Sequence, residues 1–345
     1  MGMKVTIYDV AKKAGVSIAT VSKVINNNTG NMRESTKQRV KKAMEELNYH
    51  PNIMASALMG KGTKTLGLLV PDISNPFFSE IAKVIEDRAH EKGYSVIMCS
   101  TDENEEKEKK NVELLQSKLV DGFIVGSTYR DKSIVQNLTK AGVPVVMLTQ
   151  DDPVIDVSKV FVDDFKGGYE ATIHHLQNGH HKIAIISEQR ALASVKRTEG
   201  YLQALKTYGI QPRQEYMVRT RGTIANGIKA FGNLFQLPEP PTAIFACNDQ
   251  LAIGVMLGAK EKGIKIPEQL SLIGFDDTIL ARATYPRLTT VAQPIAEMGK
   301  TVVDLLIEEI RLGCSKKERI LYNPELIIRE TTDKASKPDH IAKTE

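Results

Sequence analysis

The sequence predicts an α/β protein in which a small N-terminal domain of three helices precedes a two-lobed body of parallel sheets covered by helices. The first observation is charge: residues 1–61 hold ten basic and four acidic side chains, a net charge of +6, whereas the remaining residues carry −2. The second is pattern: from Thr65 onward, runs of Val, Ile and Leu alternate with helical segments, as in parallel sheets buried on both faces. The alternation occurs in two successive sets. This predicts two lobes, with a ligand crevice at the carboxyl ends of the strands.

Composition places the chain among globular proteins. It has 345 residues, of which 41% are hydrophobic and 26% charged, which suits a soluble protein of two or three domains. No apolar run is long enough to span a bilayer, and the first residues lack the apolar segment of a secretory signal. Cys99, Cys247 and Cys314 lack metal-ligand spacing and suit reduced thiols. We therefore expect a cytoplasmic location.

Residues 6–26 contain two short helical patterns that meet at Gly15. The predicted inner faces are apolar: Val10, Ala11 and Ala14 on the first helix, and Val21, Val24 and Ile25 on the second. Gly15 can adopt the positive φ of a tight corner, and Ser17 is placed to cap the second helix. This arrangement predicts a helix-turn-helix that contacts the DNA major groove. An ordinary helical hairpin is the alternative, and the basic charge of the region favours DNA binding.

A third amphipathic helix is predicted at Ser35–Leu47, after a polar turn at residues 26–31. Residues 49–63 form a short, weak helical pattern bracketed by Pro51 and the glycines 60 and 62. Such a helix is too short to be stable alone in water.

The body is predicted as two sets of strands and helices. The first set has strands at Leu66–Val70, Val96–Cys99, Gly122–Val125 and Val143–Leu148, and helices at Pro76–Lys92, Glu103–Lys118 and Lys132–Ala141. The second has strands at Ile183–Ile186, Thr242–Cys247 and Leu270–Phe275, and helices at Phe165–Asn178, Val195–Tyr208, Ile224–Phe235 and Asp249–Lys262. A helix at Ile295–Leu312 and a strand at Glu318–Arg329 follow, and polar Lys334–Glu345 is expected to be disordered.

Seven ordered blocks resemble the lactose/galactose repressor (LacI/GalR) family of bacterial transcription regulators. They are Thr6–Asn26, Leu47–Asn52 with Ala55 and Leu58, Gly67–Phe78, Val120–Gly122, Asn248-Asp249, Ile273–Asp276 and Leu288–Pro294. Their number and order make the resemblance specific. It implies a DNA-binding domain at 1–49, a hinge helix and linker at 50–64, and an effector-binding and dimerisation domain at 65–333 that is similar to type I periplasmic binding proteins. Lobe one would span about 65–161 and 293–322, and lobe two about 162–290 and 323–333, with a tail at 334–345.

The resemblance places Ile18, Ala19 and Lys23 at the family's base-contacting positions. Ile18 and Ala19 can touch thymine methyl groups, and Lys23 can donate to guanine. Hydroxyl or amide groups suited to phosphate oxygens complete the expected DNA-binding set: Tyr8, Ser17, Thr20, Ser22, Asn26 and Thr36. For each hydroxyl, helix capping or solvation is an equal alternative.

Residues Asn52–Leu58 resemble the hinge helix that folds only on DNA, with Asn52, Ala55 and Leu58 as expected DNA contacts. Paired Leu58 side chains would wedge into the central base step through the minor groove. Ser56 stands where many members of the family carry Arg, so an arginine contact in the minor groove is not expected here. An inert linker is the alternative.

The resemblance also implies an effector site in the crevice. Its expected residues are Asp72, Asn75, Phe77 and Phe78 from lobe one, Arg197, Asn248 and Asp276 from lobe two, and Gln293 from the crossover, with Arg190 a weaker candidate. Arginine and carboxylates can bind vicinal hydroxyls, and phenylalanine faces can pack on sugar or base rings. The alternatives are structural: Asn75 could start a helix, the phenylalanines could belong to the core, and Asp276 could be a cap.

Other chemistry is not expected. His174, His175, His180 and His181 invite a metal interpretation, but their order resembles an ordinary helix–strand corner, and no carboxylate or Cys completes a ligand set. The sequence contains no nucleophile elbow, complete P-loop or zinc-protease motif. No cofactor or enzymatic activity is therefore expected.

The sequence thus predicts a ligand-responsive homodimer that binds a pseudo-palindromic DNA operator. A sugar or another small metabolite is the expected effector, and repression is the expected outcome. One alternative is control by a partner protein, as in the catabolite-control branch of the family. That branch has an aromatic residue and an Arg where this chain has Ala296 and Asp304, which disfavours it. A solute-binding receptor or a sugar-acting enzyme are further alternatives that the basic head and the missing acid/base pair disfavour.

Overall fold

The computed structural model describes residues 5–25, 28–30, 32–50, 62–126, 132–149, 151–189 and 191–335. The chain forms two compact units, Met1–Thr63 and Lys64–Glu345. Within the described ranges, no helix combines the length and the apolar character needed to cross a membrane.

The first unit contains helices α1 (Ile7–Ala14), α2 (Ile18–Ile25) and α3 (Glu34–Glu46). Their shared core consists of small and branched side chains: Val10, Ala11, Ala14, Val21, Val24, Val40 and Ala43. Gly15 has a φ of 61° and ends α1, and the Thr20 N–H donates to Ser17 Oγ at 3.2 Å. The predicted helix pair, its left-handed glycine and its Ser17 cap are confirmed. The third helix is also confirmed, one residue earlier than predicted at each end.

The second unit contains two six-stranded sheets, which define its lobes. The sheet of lobe one has strands β1 (Thr65–Val70), β2 (Ser95–Ser100), β3 (Gly122–Val125), β4 (Val145–Leu148), β5 (Ser158–Val162) and β11 (Arg319–Tyr322). Its strand order is β11-β5-β4-β3-β1-β2, and every pairing is parallel. Among the described residues, four helices lie on it: α4 (Pro76–Glu91), α5 (Glu105–Ser117), α6 (Ser133–Lys140) and α12 (Ile295–Leu312).

The sheet of lobe two has strands β6 (Ile183–Glu188), β7 (Met217–Thr220), β8 (Ala243–Ala246), β9 (Ser271–Asp276), β10 (Thr289–Ala292) and β12 (Glu325–Ile327). Its order is β12-β10-β9-β8-β6-β7, and only the β10–β12 pairing is antiparallel among those described. Its helices are α7 (Asp164–Gln177), α8 (Leu192–Thr207), α9 (Ile224–Leu234), α10 (Asp249–Glu261) and the short α11 (Ile279–Ala283).

The predicted single strand at Glu318–Arg329 is wrong. The segment forms β11, which pairs parallel to β5, and β12, which pairs antiparallel to β10, so it crosses from one sheet to the other. Asn323 and Pro324 separate the two strands, and proline cannot donate to a sheet ladder. Strands β5, β7 and β10 were not predicted, since each is only four or five residues long and merges with polar flanks.

Only the start of the predicted tail is described. The Ala335 N–H donates to the Asn178 carbonyl at 2.8 Å, so the chain remains on lobe two as far as this residue. Residues 336–345 lie outside the described ranges.

Candidate DNA-binding face and ligand cavity

The outer face of α2 carries the three expected base-contacting residues. Ile18 is 39% exposed although it is apolar, and Ala19 and Lys23 are exposed beside it. Tyr8, on α1, is 67% exposed, so its hydroxyl is accessible to a phosphate oxygen. Short apolar and cationic groups therefore share one accessible surface, as a major-groove contact requires.

The hydroxyl-bearing residues have a structural role as well. Ser17 Oγ lies 2.9 Å from Thr20 Oγ1 and accepts the Thr20 N–H, so helix capping occupies both side chains. Thr20, Ser22 and Thr36 are partly buried, whereas Ser17 is exposed. The expected contacts Asn26, Asn52, Ala55 and Leu58 lie outside the described residues.

A cavity of about 330 Å³ lies between the two sheets, where their parallel strands end. Seven of the eight expected effector residues line it: Asn75, Phe77, Phe78, Arg197, Asn248, Asp276 and Gln293. Asp72 lines a neighbouring cavity of about 310 Å³ instead, and its Oδ1 accepts the Ser74 N–H at 2.8 Å. The candidate Arg190 lies outside the described residues.

Arg197, near the start of α8, is only 5% exposed and lies at the floor of the cavity. Its Nε donates to Asp164 Oδ1 at 2.7 Å, its Nη1 donates to the Cys247 carbonyl, and its guanidinium stacks 3.5 Å from the centroid of the Phe275 ring. Burial opposes its charge, but the Asp164 and Asp276 carboxylates outweigh burial and raise the pKa of Arg197. The Arg197 guanidinium therefore remains charged and is held in a fixed orientation.

Asp276 ends β9 with a φ of 115°, a conformation that L residues rarely adopt. Gln293 Nε2 donates to its Oδ1 at 2.7 Å, and Arg197 Nη1 lies 3.9 Å from the same oxygen. Burial raises the pKa of Asp276 well above its ordinary value, and burial also raises the pKa of nearby Asp249 to about 6. Strained backbone together with desolvated carboxylates is typical of a binding site.

Asn75 and Asn248 start helices on opposite sides of the cavity. Asn75 Oδ1 accepts the Phe77 N–H at 3.1 Å, and Asn248 Oδ1 accepts the Leu251 N–H at 2.7 Å. The capping alternative for Asn75 is therefore confirmed, although both residues also line the cavity.

The two phenylalanines pack edge to face, with ring centroids 5.0 Å apart. Phe77 is buried in the core of lobe one, and half-buried Phe78 packs against that core. Their rings give the lobe-one wall of the cavity its apolar character.

Sequence reasoning missed four acidic residues of the site. Glu103, Glu108 and Glu188 line the cavity, and Asp164 pairs with Arg197. The signal for Glu188 was its place at the carboxyl end of a predicted strand. Asp164 gave no such signal, because it follows β5, a strand that the pattern did not predict.

Polar contacts join the lobes beside the cavity. Gln250 Nε2 donates to the Ser74 carbonyl at 3.2 Å, and the Ile279 N–H donates to Glu80 Oε1 at 2.8 Å. Arg282 Nη2 lies 3.6 Å from the other Glu80 oxygen. These contacts depend on the present separation of the lobes and would change if the lobes opened.

The histidine cluster lies at a corner of lobe two. His180 donates to the Asp333 carbonyl at 3.0 Å and accepts from Thr242 Oγ1 at 2.9 Å, while buried His175 donates to the Ile244 carbonyl at 3.2 Å. His174 Nε2 lies 3.2 Å from Thr332 Oγ1. The rings thus fasten the C-terminal segment to the sheet.

Comparison with protein families yields two matches. Residues 6–52 match the model described as "Bacterial regulatory proteins, lacI family", and residues 63–330 match "Periplasmic binding proteins and sugar binding domain of LacI family".

Similar proteins are known along nearly the whole chain. The chain is 43% identical to the HTH-type transcriptional regulator DegA of Bacillus subtilis over 96% of its length and 98% of the relative's. It is 38% identical to catabolite control protein A of Priestia megaterium, covering 88% and 92% of the two chains. A solved structure of the lac repressor dimer, bound to operator and the anti-inducer ONPF, matches with a TM-score of 0.83 and 30% identity, over 95% and 99% of the two chains.

Proposed function

Because this chain belongs to the LacI family of bacterial regulatory proteins, it is a DNA-binding transcription regulator, and we propose that a small molecule held between its two lobes controls its affinity for DNA. The family consists of regulators rather than enzymes. We also propose that the protein is a homodimeric repressor of a pseudo-palindromic operator and acts in the bacterial cytoplasm, at the nucleoid.

One observation supports the effector site above the others. Arg197 and Asp276, both buried, approach each other at the floor of a cavity bounded by both lobes. A guanidinium and a carboxylate side by side offer paired donors and acceptors to vicinal hydroxyls. The Phe77 and Phe78 rings provide an apolar surface opposite, as the face of a sugar ring requires.

The proposed coupling follows from the contacts between the lobes. A ligand that binds more tightly to one separation of the lobes shifts the population toward it. Contacts such as Gln250 to Ser74 form in only some of those states. The change in lobe position would then alter the DNA-binding competence of the dimer.

DNA selection from a random duplex library, using the full-length protein, tests the regulator function. We expect selected sites with two-fold symmetry that bind at least about 1,000-fold more tightly than competitor DNA. Equal affinity for all duplexes at moderate ionic strength would contradict sequence-specific binding and favour a solute-binding receptor.

A thermal-shift screen of sugars, nucleobases and phosphorylated metabolites tests the cavity. A ligand at 100 times its Kd should add about 2.7 kcal/mol to the free energy of unfolding. The shift should disappear in Asp276→Asn and persist in Glu261→Gln, a control at an exposed surface carboxylate. Intact operator binding with no response to any metabolite would favour control by a partner protein.

Substitution of Lys23 tests the DNA face. We expect Lys23→Ala to relax base preference at one operator position, at a cost of about 1–3 kcal/mol. Lys12→Ala, which removes an exposed lysine of α1, is the matched control. Equal weakening on all sequences by Lys23→Ala would show that Lys23 contacts phosphate only.

A further inference from the structure

We propose that Glu188 forms a subsite for a protonated amine, so that the effector of this regulator is an amine-bearing polyhydroxylated molecule such as an amino sugar. This inference rests on the proposed function, since it specifies the ligand of the same cavity. Neutral sugars and phosphorylated metabolites are the competing classes.

Glu188 lies where three cavities of the second unit meet. It lines the 330 Å³ cavity and two adjoining cavities of about 240 and 310 Å³. As the last residue of β6, it stands on rigid sheet rather than on a loop. A ligand that fills the central cavity and extends toward either neighbour must therefore pass its carboxylate.

Neutral groups hold the Glu188 carboxylate. Asn248 Nδ2 donates to Oε1 at 3.0 Å, and Ser194 Oγ donates to Oε2 at 3.2 Å. Among the residues that the structure describes, no cation forms an ion pair with it. The buried cation Arg197 directs its hydrogen bonds to Asp164 and the Cys247 carbonyl instead.

The backbone also leaves room for this carboxylate. A Cβ added at Gly222 would lie 2.1 Å from Glu188 Oε1 and 2.6 Å from Asn248 Nδ2, so a larger residue there would displace the two side chains. The Gly222 carbonyl accepts the second Asn248 hydrogen bond at 3.3 Å. The acceptor is thus held in place before ligand binds, which lowers the entropic cost of binding.

Among the described residues Glu188 has no ion-pair partner, although the charge of Arg197 opposes the effect of burial on its pKa. Burial still raises the pKa of Glu188, so a cation brought by a ligand would stabilise the ionised form. Each of its oxygens accepts one protein hydrogen bond and retains capacity for a donor from the ligand. An ammonium group supplies both charge and donors, whereas a phosphate would place like charges together.

Ligands that share one sugar ring but differ in a single substituent distinguish amine-bearing, neutral and phosphorylated effectors. Isothermal titration of the full-length protein would compare glucose, glucosamine, N-acetylglucosamine and glucose 6-phosphate, with the same series for galactose and mannose. We expect an amino sugar to bind most tightly within its series. Glu188→Gln should weaken its binding about 10-fold to 100-fold, while the neutral parent sugar changes little.

Two controls separate recognition from folding. Glu170→Gln, at an exposed carboxylate of α7 that pairs with Lys166, should leave every affinity unchanged. The affinity for the amine should also fall as the pH is lowered, because protonation removes the Glu188 charge. This fall should be smaller in Glu188→Gln, where the carboxylates Asp249 and Asp276 still titrate.

Preference for a neutral or phosphorylated member, or an unchanged amine affinity in Glu188→Gln, would overturn the amine subsite. The proposed effector cavity would still stand if Asp276→Asn abolished that binding. The two failures are therefore distinguishable.

Discussion

The two lobes share a six-stranded sheet covered by helices, yet they pack their helices differently. In lobe two, helices α7 and α8 cross at Gly168 and Gly200, where an added Cβ would lie 2.1 Å from the Arg197 carbonyl and 2.2 Å from the Phe165 carbonyl. In lobe one, helices α4 and α12 cross near Gly299, where an added Cβ meets the Val84 side chain at 2.7 Å. The helices of lobe two therefore contact each other through backbone atoms, whereas those of lobe one contact each other through side chains.

The walls of the cavity also differ in composition. Among the described lining residues, the only cation, Arg197, comes from lobe two, whereas both phenylalanine rings, Phe77 and Phe78, come from lobe one. Both lobes supply carboxylates: Glu188 and Asp276 from lobe two, and Glu103 and Glu108 from lobe one. The close helix crossing brings Asp164 and Arg197 into contact, so backbone packing positions the charges. Lobe two therefore supplies the positive charge of the cavity within a rigid network, and lobe one supplies its aromatic surface.

The largest expected difference concerns matched arginines. Arg197→Ala should destabilise the protein by about 3–5 kcal/mol, because Asp164 would remain buried without its partner. Arg88→Ala in lobe one breaks the solvent-accessible pair with Asp304 and should change stability little. Urea denaturation of both variants measures the contrast. Similar losses would show that burial does not distinguish the two networks.

Glycine substitutions test the helix crossings. Gly200→Ala should cost about 3 kcal/mol, since the methyl group meets backbone that cannot rotate away. Gly299→Ala should cost about 1 kcal/mol, because the contact is with a side chain and alanine favours helix. Gly232→Ala is the control, because an added Cβ there meets no described atom within 4 Å, and it should stabilise slightly. A cost for Gly299→Ala equal to that of Gly200→Ala would remove the distinction between the lobes.

The two capping asparagines sharpen the comparison. Asn75→Ala in lobe one should cost about 1 kcal/mol, the usual loss of an N-cap. Asn248→Ala in lobe two should cost about 2–3 kcal/mol, because Glu188 also loses a hydrogen-bond donor. Thermal denaturation without ligand provides the measurement, and equal costs would argue that the Glu188 bond adds nothing to stability.

The smallest expected effect is a pH dependence confined to lobe two. Burial lowers the pKa of His180, so the folded state resists a proton that the unfolded chain accepts near pH 6.5. The contribution of His180 to the stability of the folded state is complete above about pH 6.5 and is lost as the pH falls. As the pH falls below about 6.5, the free energy of unfolding of the wild type should decrease more steeply than that of His180→Gln. Both proteins contain the same buried carboxylates, so the difference between their stability curves removes the contribution of those carboxylates. Parallel stability curves would show that His180 does not titrate in this range.

The local sequence pattern determined much of the secondary structure of this protein. The spacing of Val10, Ala11 and Ala14 specified a helix face, Gly15 specified its end, and Ser17 specified the next beginning, because each signal lies within a few residues of its effect. The alternating apolar runs likewise specified two parallel sheets with a crevice at their strand ends. Seven of the seventeen residues that line the cavity were expected from the family resemblance.

Only the tertiary structure determined the partners of the charged residues and the division of the C-terminal segment between the sheets. The partners of Arg197 are 33 and 50 residues away in sequence, and no local pattern links them. The segment 318–329 was divided between two sheets because each sheet offered an unpaired edge, which is a property of the assembled lobes. Glu188 gained its environment in the same way, from an asparagine, a serine and a glycine brought together by folding. Sequence specifies short-range geometry directly, whereas the surroundings of a buried charge depend on which distant elements pack around it.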